Sequence, residues 1–167
     1  LLTAKAFAEG GRMLVYYLSQ LNDTVTHNGT TDEAKEAEVL LSLLTPIAKA
    51  FMTETGLESA NLGMQCFGGH GYIREYGMEQ IVRDARISTI YEGTTGIQAL
   101  DLLGRKVLMT QGQSLKAFTK KIHLFCKAEA GNEVMAEFIE PLMALYKEWG
   151  DLTMKVGMAA LKDRNEV

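Results

Sequence analysis

Apolar side chains recur along this chain at intervals of three and four, the spacing that lines them up on one face of a helix. Leu14, Tyr17, Leu18, Leu21 and Val25 form the first stripe, and the polar run His27-Asn28-Gly29-Thr30-Thr31 ends it. Thr30 followed three positions later by Glu33 fits a capping box, in which a hydroxyl and a carboxylate satisfy free amides at a helix start. A second long helix is therefore predicted from about Asp32. Its stripe runs through Leu40, Leu43, Leu44, Ile47 and Phe51 and continues with Leu57, Ala60 and Met64. Pro46 lies inside it and lacks an amide donor, so a kink is expected there.

From Gly68 to Gly77 the residues are glycine, aromatic and charged, a loop composition. A short helix is predicted over Met78 to Ile87. Thr95-Gly96-Ile97-Gln98 repeats the capping-box pattern, and Ile97, Leu100, Leu103, Gly104 and Val107 carry a helical repeat behind it. Two further amphipathic segments follow, about Ser114 to Ala130 and Asn132 to Lys162, the latter striped by Phe138, Leu142, Leu145, Trp149, Leu152 and Val156. Strand-type alternation extends over no useful length. The pattern predicts an all-α protein, an up-down helical bundle with short connections.

The 167 residues suffice for a real core, and 47% hydrophobic with 23% charged residues is an ordinary globular balance. A net charge of -4 supplies no basic footprint for nucleic acid or an anionic membrane surface. Charged or polar residues interrupt every apolar run, so no membrane span is expected. The two cysteines, Cys66 and Cys126, are far apart and outside any metal-type spacing, which makes a reducing, cytoplasmic compartment the default expectation. Neither calls for a metal, and Cys66 has no basic neighbour to activate it; Cys126, between Phe125 and Lys127, reads as a core filler. The first residues already read as helix interior, with neither a cap nor an initiator Met before them, so a piece of a longer protein is expected.

Chemistry concentrates between Gln65 and Gln98. Gly68-Gly69-His70-Gly71 exposes backbone amides without Cβ obstruction, which suits either a tight turn or close approach of a phosphate or flat ring. Glu92, ahead of a helix, is either a solvated acid stabilised by the helix dipole or, buried against Ile90 and Tyr91, a base with a raised pKa. Arg83, Asp84 and Arg86 read as a local ion-pair and hydrogen-bond cluster, and Arg105 and Lys106 as cations near a helix end.

The order Gln65-x-x-Gly68-Gly69-x-Gly71-Tyr72, then Arg83-Asp84-Ala85-Arg86-Ile87, then Ile90-Tyr91-Glu92-Gly93-Thr94 resembles the C-terminal helical domain of the acyl-CoA dehydrogenases. The resemblance covers residues 1–110. Residues 111–167 look like the start of the additional C-terminal helical region of a longer bacterial branch, which includes methylthiopropionyl-CoA dehydrogenases.

The resemblance implies α,β-dehydrogenation of an acyl-CoA thioester, with a carboxylate taking the α-proton while the β-hydrogen leaves as hydride to N5 of FAD. Glu92 falls on the carboxylate position, and its N–H matches a donor to the thioester carbonyl. Gly93 and Tyr91 match substrate-side positions, although Tyr91 beside Ile90 also fits a core aromatic. Thr94 and Gly96 fall in the segment touching FAD; Thr95 with Gln98 serves either a cap or a flavin contact. Gln65, Cys66, Phe67, Gly68 and Gly69 match the segment that reaches the FAD of a neighbouring subunit, implying a homodimer or homotetramer. His70 matches no general acid and is expected to stack near the cofactor. An electron-transferring flavoprotein is the implied electron acceptor. An acyl-CoA oxidase and a non-catalytic helical oligomerisation or partner-binding domain are the alternatives.

Overall fold

The computed structural model describes residues 1–162, and every regular element among them is helical. The chain forms two compact units, Leu1–Leu102 and Leu103–Val167. No helix among the described residues is long and apolar enough to cross a membrane.

The first unit is built on two long helices, α1 (Leu2–Asn28) and α2 (Asp32–Phe67). So short a connection returns the chain antiparallel. The start of α1 accordingly faces the second half of α2: the Phe7 ring meets Phe51 edge-on at 6.4 Å, and Gly11 lies against the Met52 thioether. Helix α2 supplies most of the core, with Leu40, Leu43 and Pro46 fully buried and Ala34, Ala37, Leu44 and Ala48 buried beside them. It continues through Pro46 as a single helix.

Its start differs from the expected capping box. Thr31, not Thr30, is the cap, and its hydroxyl accepts from Ala34 N at 3.2 Å. The residue three positions on is then an alanine with no side chain to return the bond; Asp32 and Glu33 instead favour the helix dipole from the first turn.

The stretch expected as loop after α2 is folded into turns. Gly68 (φ 59°) ends α2, one helical turn α3 (Gly69–Tyr72) and a 3-10 turn (Arg74–Tyr76) follow, and Gly77 (φ 70°) opens α4 (Met78–Ser88). The fold-back depends on Gly71, where a Cβ would stand 2.5 Å from Met64 O and 2.9 Å from Phe67 Cβ. Composition marked this segment as irregular, yet the missing side chain at Gly71 lets it wind tightly against the end of α2. Helix α4 returns along α2, its Met78 methyl resting on Gly63.

Helix α5 (Thr95–Leu100) is shorter than the repeat through Val107 predicts, because the chain widens at Asp101–Leu108 into a π-helix. Backbone bonds five residues apart mark the widened turns, Met109 N to Gly104 O at 3.1 Å and Gly112 N to Val107 O at 2.8 Å. Arg105 and Lys106 fall in its last turn, where cations favour the dipole.

The second unit contains α6 (Gln113–Glu129) and α7 (Ala136–Lys162), joined by a short turn and held by the edge-on pair Phe118 and Trp149 at 5.6 Å. Cys126 is buried as the core filler expected of it. Helix α7 starts four residues later than predicted, because the Asn132 side chain accepts from Val134 N at 3.1 Å and so competes with helix formation. Half of the predicted stripe packs, with Leu142, Trp149 and Val156 partly buried. Ile139 and Gly157 are buried along α7, whereas Phe138, Leu145 and Leu152 are exposed.

Two glycines in the first unit are expected to respond oppositely to a methyl group. Gly71→Ala is expected to destabilise by about 1–3 kcal/mol through overpacking. Gly56→Ala, in open space within α2, is expected to stabilise by about 0.5–1 kcal/mol by removing glycine's unfolded-state freedom. Chemical denaturation midpoints measure both, and equal shifts would contradict the packing at Gly71. Leu43→Ala is expected to cost about 2–5 kcal/mol in the same measurement, as a cavity in a fully buried position does.

Candidate active site

Helix α4 ends at Ser88 and the turn Thr89–Thr94 carries the chain to α5. Ile90 N and Tyr91 N both donate to Ile87 O, at 3.0 and 3.2 Å, closing the last turn of α4. Thr89 is 4% exposed; its hydroxyl donates to Arg86 O at 3.0 Å and accepts from the Arg86 guanidinium. Asp84 accepts from Gln80 Nε2 at 2.7 Å. Arg86 and Asp84 are thus tied into the α4 segment by hydrogen bonds to Thr89 and Gln80, and among the described residues no ion pair joins Arg83, Asp84 and Arg86 to one another.

The chain then takes an unusual course. Glu92 has φ 55° and Gly93 φ 91°, so two successive residues occupy left-handed backbone, and one of them carries a side chain. For a residue with a Cβ this costs on the order of 1–2 kcal/mol, so surrounding groups must hold it. From α2, Lys49 Nζ donates to Gly93 O at 2.5 Å and to Ser88 O at 3.1 Å. From α5, Gln98 Nε2 donates to Glu92 O at 3.3 Å and to Gly93 O at 3.4 Å. Just beyond, the Thr95 hydroxyl donates to the Glu54 carboxylate of α2. Glycine is favoured at Gly93 because its φ disfavours a side chain, and a Cβ there would stand 2.5 Å from Gln98 Nε2 and displace that amide.

These bonds revise the helix start expected at Thr95. Thr94 is the cap, with its hydroxyl accepting from Ile97 N at 3.4 Å, while Thr95 binds Glu54 and Gln98 closes the preceding turn. The pattern of a hydroxyl followed three residues later by an amide was present, but tertiary partners claimed both of its members.

Glu92 is exposed, the solvated alternative of the two readings, and is not buried against Ile90 and Tyr91. Ile90 and Tyr91 are themselves 49% and 48% exposed, so Tyr91 is not the core aromatic its neighbour suggested. The physical reason lies in what holds the turn: Lys49 and Gln98 bind its main-chain carbonyls and leave its side chains outward. No acceptor among the described residues takes the Glu92 N–H.

Gln65, Cys66, Phe67, Gly68 and Gly69 form a second cluster, at the C-terminal end of α2 and the start of α3, and all are exposed. Cβ atoms at Gly68 and Gly69 would meet nothing within 4 Å, so the main chain there is open to a ligand. The Phe67 ring stands edge-on to Tyr76 at 6.2 Å, and His70 lies edge-on to Tyr76 at 5.0 Å. Eleven residues of α2 separate Gln65 from Glu54, which at 1.5 Å per residue is roughly 16 Å. Tyr91, Glu92, Gly93 and Thr94 thus lie in one turn with Gly96 in the first turn of α5, and Gln65 to Gly69 lie apart from them. A cleft of about 600 Å³ lined by Met64, Tyr72, Arg74, Glu79, Gln80, Val82 and Arg83 includes none of the candidate residues.

Lys49 and Glu54 were missing from the sequence-based candidates. A signal was available for the first: Lys49 interrupts the apolar run Ile47-Ala48-x-Ala50-Phe51, where a charged residue needs a specific partner.

The C-terminal domain model of the acyl-CoA dehydrogenases matches residues 1–108. Among curated proteins, a 3-methylmercaptopropionyl-CoA dehydrogenase from Ruegeria pomeroyi is 46% identical over 122 residues, covering 73% of this chain and 21% of that protein. A broad-specificity linear acyl-CoA dehydrogenase from Mycobacterium tuberculosis is 36% identical over 136 residues, covering 79% of this chain and 22% of that protein. The chain thus spans about a fifth of the length of these relatives. Among solved structures, Caenorhabditis elegans ACDH-11 in complex with C11-CoA superposes with a TM-score of 0.74 at 24% identity, over 92% of this chain and 25% of that one. The all-α architecture, the ordered motifs around the Glu92 turn and the family match over residues 1–108 agree: this chain belongs to the acyl-CoA dehydrogenase family, as its C-terminal domain.

Proposed function

We propose that the protein carrying this chain catalyses α,β-dehydrogenation of an acyl-CoA thioester, with Glu92 as the base for the α-proton. The observation that carries the reading is the Glu92 turn: a side-chain-bearing residue is held in left-handed backbone by two side chains, Lys49 and Gln98, while its own carboxylate stays exposed. Strain maintained at an otherwise unremarkable surface turn is what a positioned reactive group requires.

The α-proton of a thioester is only weakly acidic, and removal becomes feasible when charge developing on the carbonyl oxygen is stabilised in the transition state. The Glu92 carboxylate accepts the proton. The Glu92 N–H, with no acceptor among the described residues, is the donor this chain offers to the carbonyl. Gly93 and the exposed Tyr91 flank the base on the substrate side. Thr94 uses its hydroxyl oxygen as a cap acceptor, which leaves the hydroxyl hydrogen for a cofactor contact, and Gly96 is exposed beside it.

The residues present fit FAD, because the open main chain at Gly68 and Gly69 and the exposed Gln65, Cys66 and Phe67 provide an unobstructed contact surface. Bound FAD would supply the hydride acceptor for the β-hydrogen. The separation of the two clusters along α2 supports giving them different contacts, the Glu92 turn to the reacting end and Gln65 to Gly69 to the FAD of a neighbouring subunit in a homodimer or homotetramer. Electron-transferring flavoprotein is the proposed electron acceptor, and a start of an additional helical region is proposed for residues 111–167.

Glu92→Gln in the intact protein is expected to lower dehydrogenation by about 10²–10⁴-fold, the range of general base catalysis. The melting temperature is expected to stay unchanged, because the tethers bind backbone carbonyls and not the carboxylate. Turnover with an artificial electron acceptor and a thermal melt measure the two effects; wild-type turnover in this variant would remove Glu92 from the mechanism. Hydrogen peroxide formed in step with product would show oxygen, not a flavoprotein, to be the acceptor.

A further inference from the structure

We infer that Lys49 is a positioning residue for the base, a half-buried ammonium that clamps the end of α4 to the Glu92 turn. The inference rests on the proposed role of Glu92 and adds what sets that residue in place.

Three observations carry it. First, the partners of Lys49 are unusual. A half-buried lysine ordinarily pairs with a carboxylate, yet among the described residues no acid pairs with Lys49, and both its bonds go to main-chain carbonyls, Ser88 O and Gly93 O. Second, these carbonyls lie on either side of Glu92. Ser88 is the last residue of α4, where carbonyls are unsatisfied and the helix dipole favours a cation; Gly93 directly follows the base. One ammonium therefore fixes both the origin of the turn and its strained point.

Third, a comparable turn elsewhere lacks such a clamp. Gln111 (φ 53°) and Gly112 (φ 75°) are also a left-handed pair with a side chain on the first residue. That turn is closed from within its own segment, by Gln111 N to Leu108 O at 3.0 Å and Gly112 N to Val107 O at 2.8 Å, with the Thr110 hydroxyl also reaching Val107 O at 3.1 Å, and by no side chain from another helix among the described residues. At Glu92 and Gly93 the corresponding work falls to Lys49 and Gln98, which leaves the Glu92 N–H unengaged by the chain. A backbone-closed turn would consume amides of this kind; a side-chain clamp holds the turn and spares the donor. An ammonium suits the task because its donors diverge tetrahedrally towards two acceptors, whereas a guanidinium offers a planar fork.

The test uses the intact flavin-loaded protein with Lys49→Met, Lys49→Arg and Glu92→Gln compared side by side. Lys49→Met is expected to lower kcat by about 10- to 100-fold through misplacement of the base, with KM and flavin content close to wild type and faster amide hydrogen exchange at residues 90–94. Slower washout of α-deuterium from bound acyl-CoA is expected in step with kcat. Wild-type kcat in the folded, flavin-loaded Lys49→Met protein would overturn the positioning role and leave Glu92 as the base. If Lys49→Met does not fold, Lys49→Arg keeps the charge and is expected to lose kcat while retaining KM; full kcat there would equally overturn the proposal. Retained turnover in Glu92→Gln would overturn the base assignment itself, and the positioning role with it.

Discussion

Every part of the first unit depends on the packing of α2. Its buried residues, Leu40, Leu43, Leu44, Pro46 and Ala48, form the core, and α1 packs along it. Further along, Gly63 receives Met78 of α4, and Met64 and Phe67 enclose Gly71. The same helix then supplies the polar tethers Lys49 and Glu54 to the Glu92 turn. A hydrophobic spine thus doubles as the frame for the tethered Glu92 turn. Loops on a rigid scaffold are where function concentrates, because the scaffold supplies the stability the loop forgoes.

The division of labour within α2 follows from helix geometry. Side chains three and four positions apart share a face, so a helix of 36 residues can present an apolar face to one neighbour and a polar one to another. Lys49 lies next to buried Ala48 in sequence yet turns its ammonium to the carbonyls of Ser88 and Gly93. Pro46, which removes one intrahelical donor, lies within the continuous α2 and is fully buried among the core residues. The roughly 16 Å along α2 between Glu54 and Gln65 separates the end of α2 from the level at which the Glu92 turn is tethered.

Family membership and geometry contribute different things to the functional argument. The match over residues 1–108 establishes what kind of domain this is. The turn at Glu92 supplies the physical content, since an acid ahead of a helix is ordinarily a solvated cap, and nothing in its exposure alone distinguishes it from one. Its left-handed backbone, its tethered carbonyls and its unengaged N–H are what set it apart.

The helical class, the two long helices at the start and the approximate bounds of α4 and α6 were determined by the sequence itself, because apolar spacing reports local periodicity and little else is needed to place a helix. The ordered motif from Gln65 to Gln98 likewise marked the residues of interest. What tertiary structure alone decided was which partner each polar group took. Thr31 rather than Thr30 caps α2, Thr94 rather than Thr95 caps α5, and Asn132 delays α7, since several neighbouring side chains could make each bond and only packing selects one. The widened helix after Leu100 and the exposure of half the α7 stripe are likewise not encoded in apolar spacing. Lys49 is the clearest case: its sequence shows a lysine in an apolar run, but its acceptors lie 39 and 44 residues away and exist only once α4 and the Glu92 turn have folded against α2.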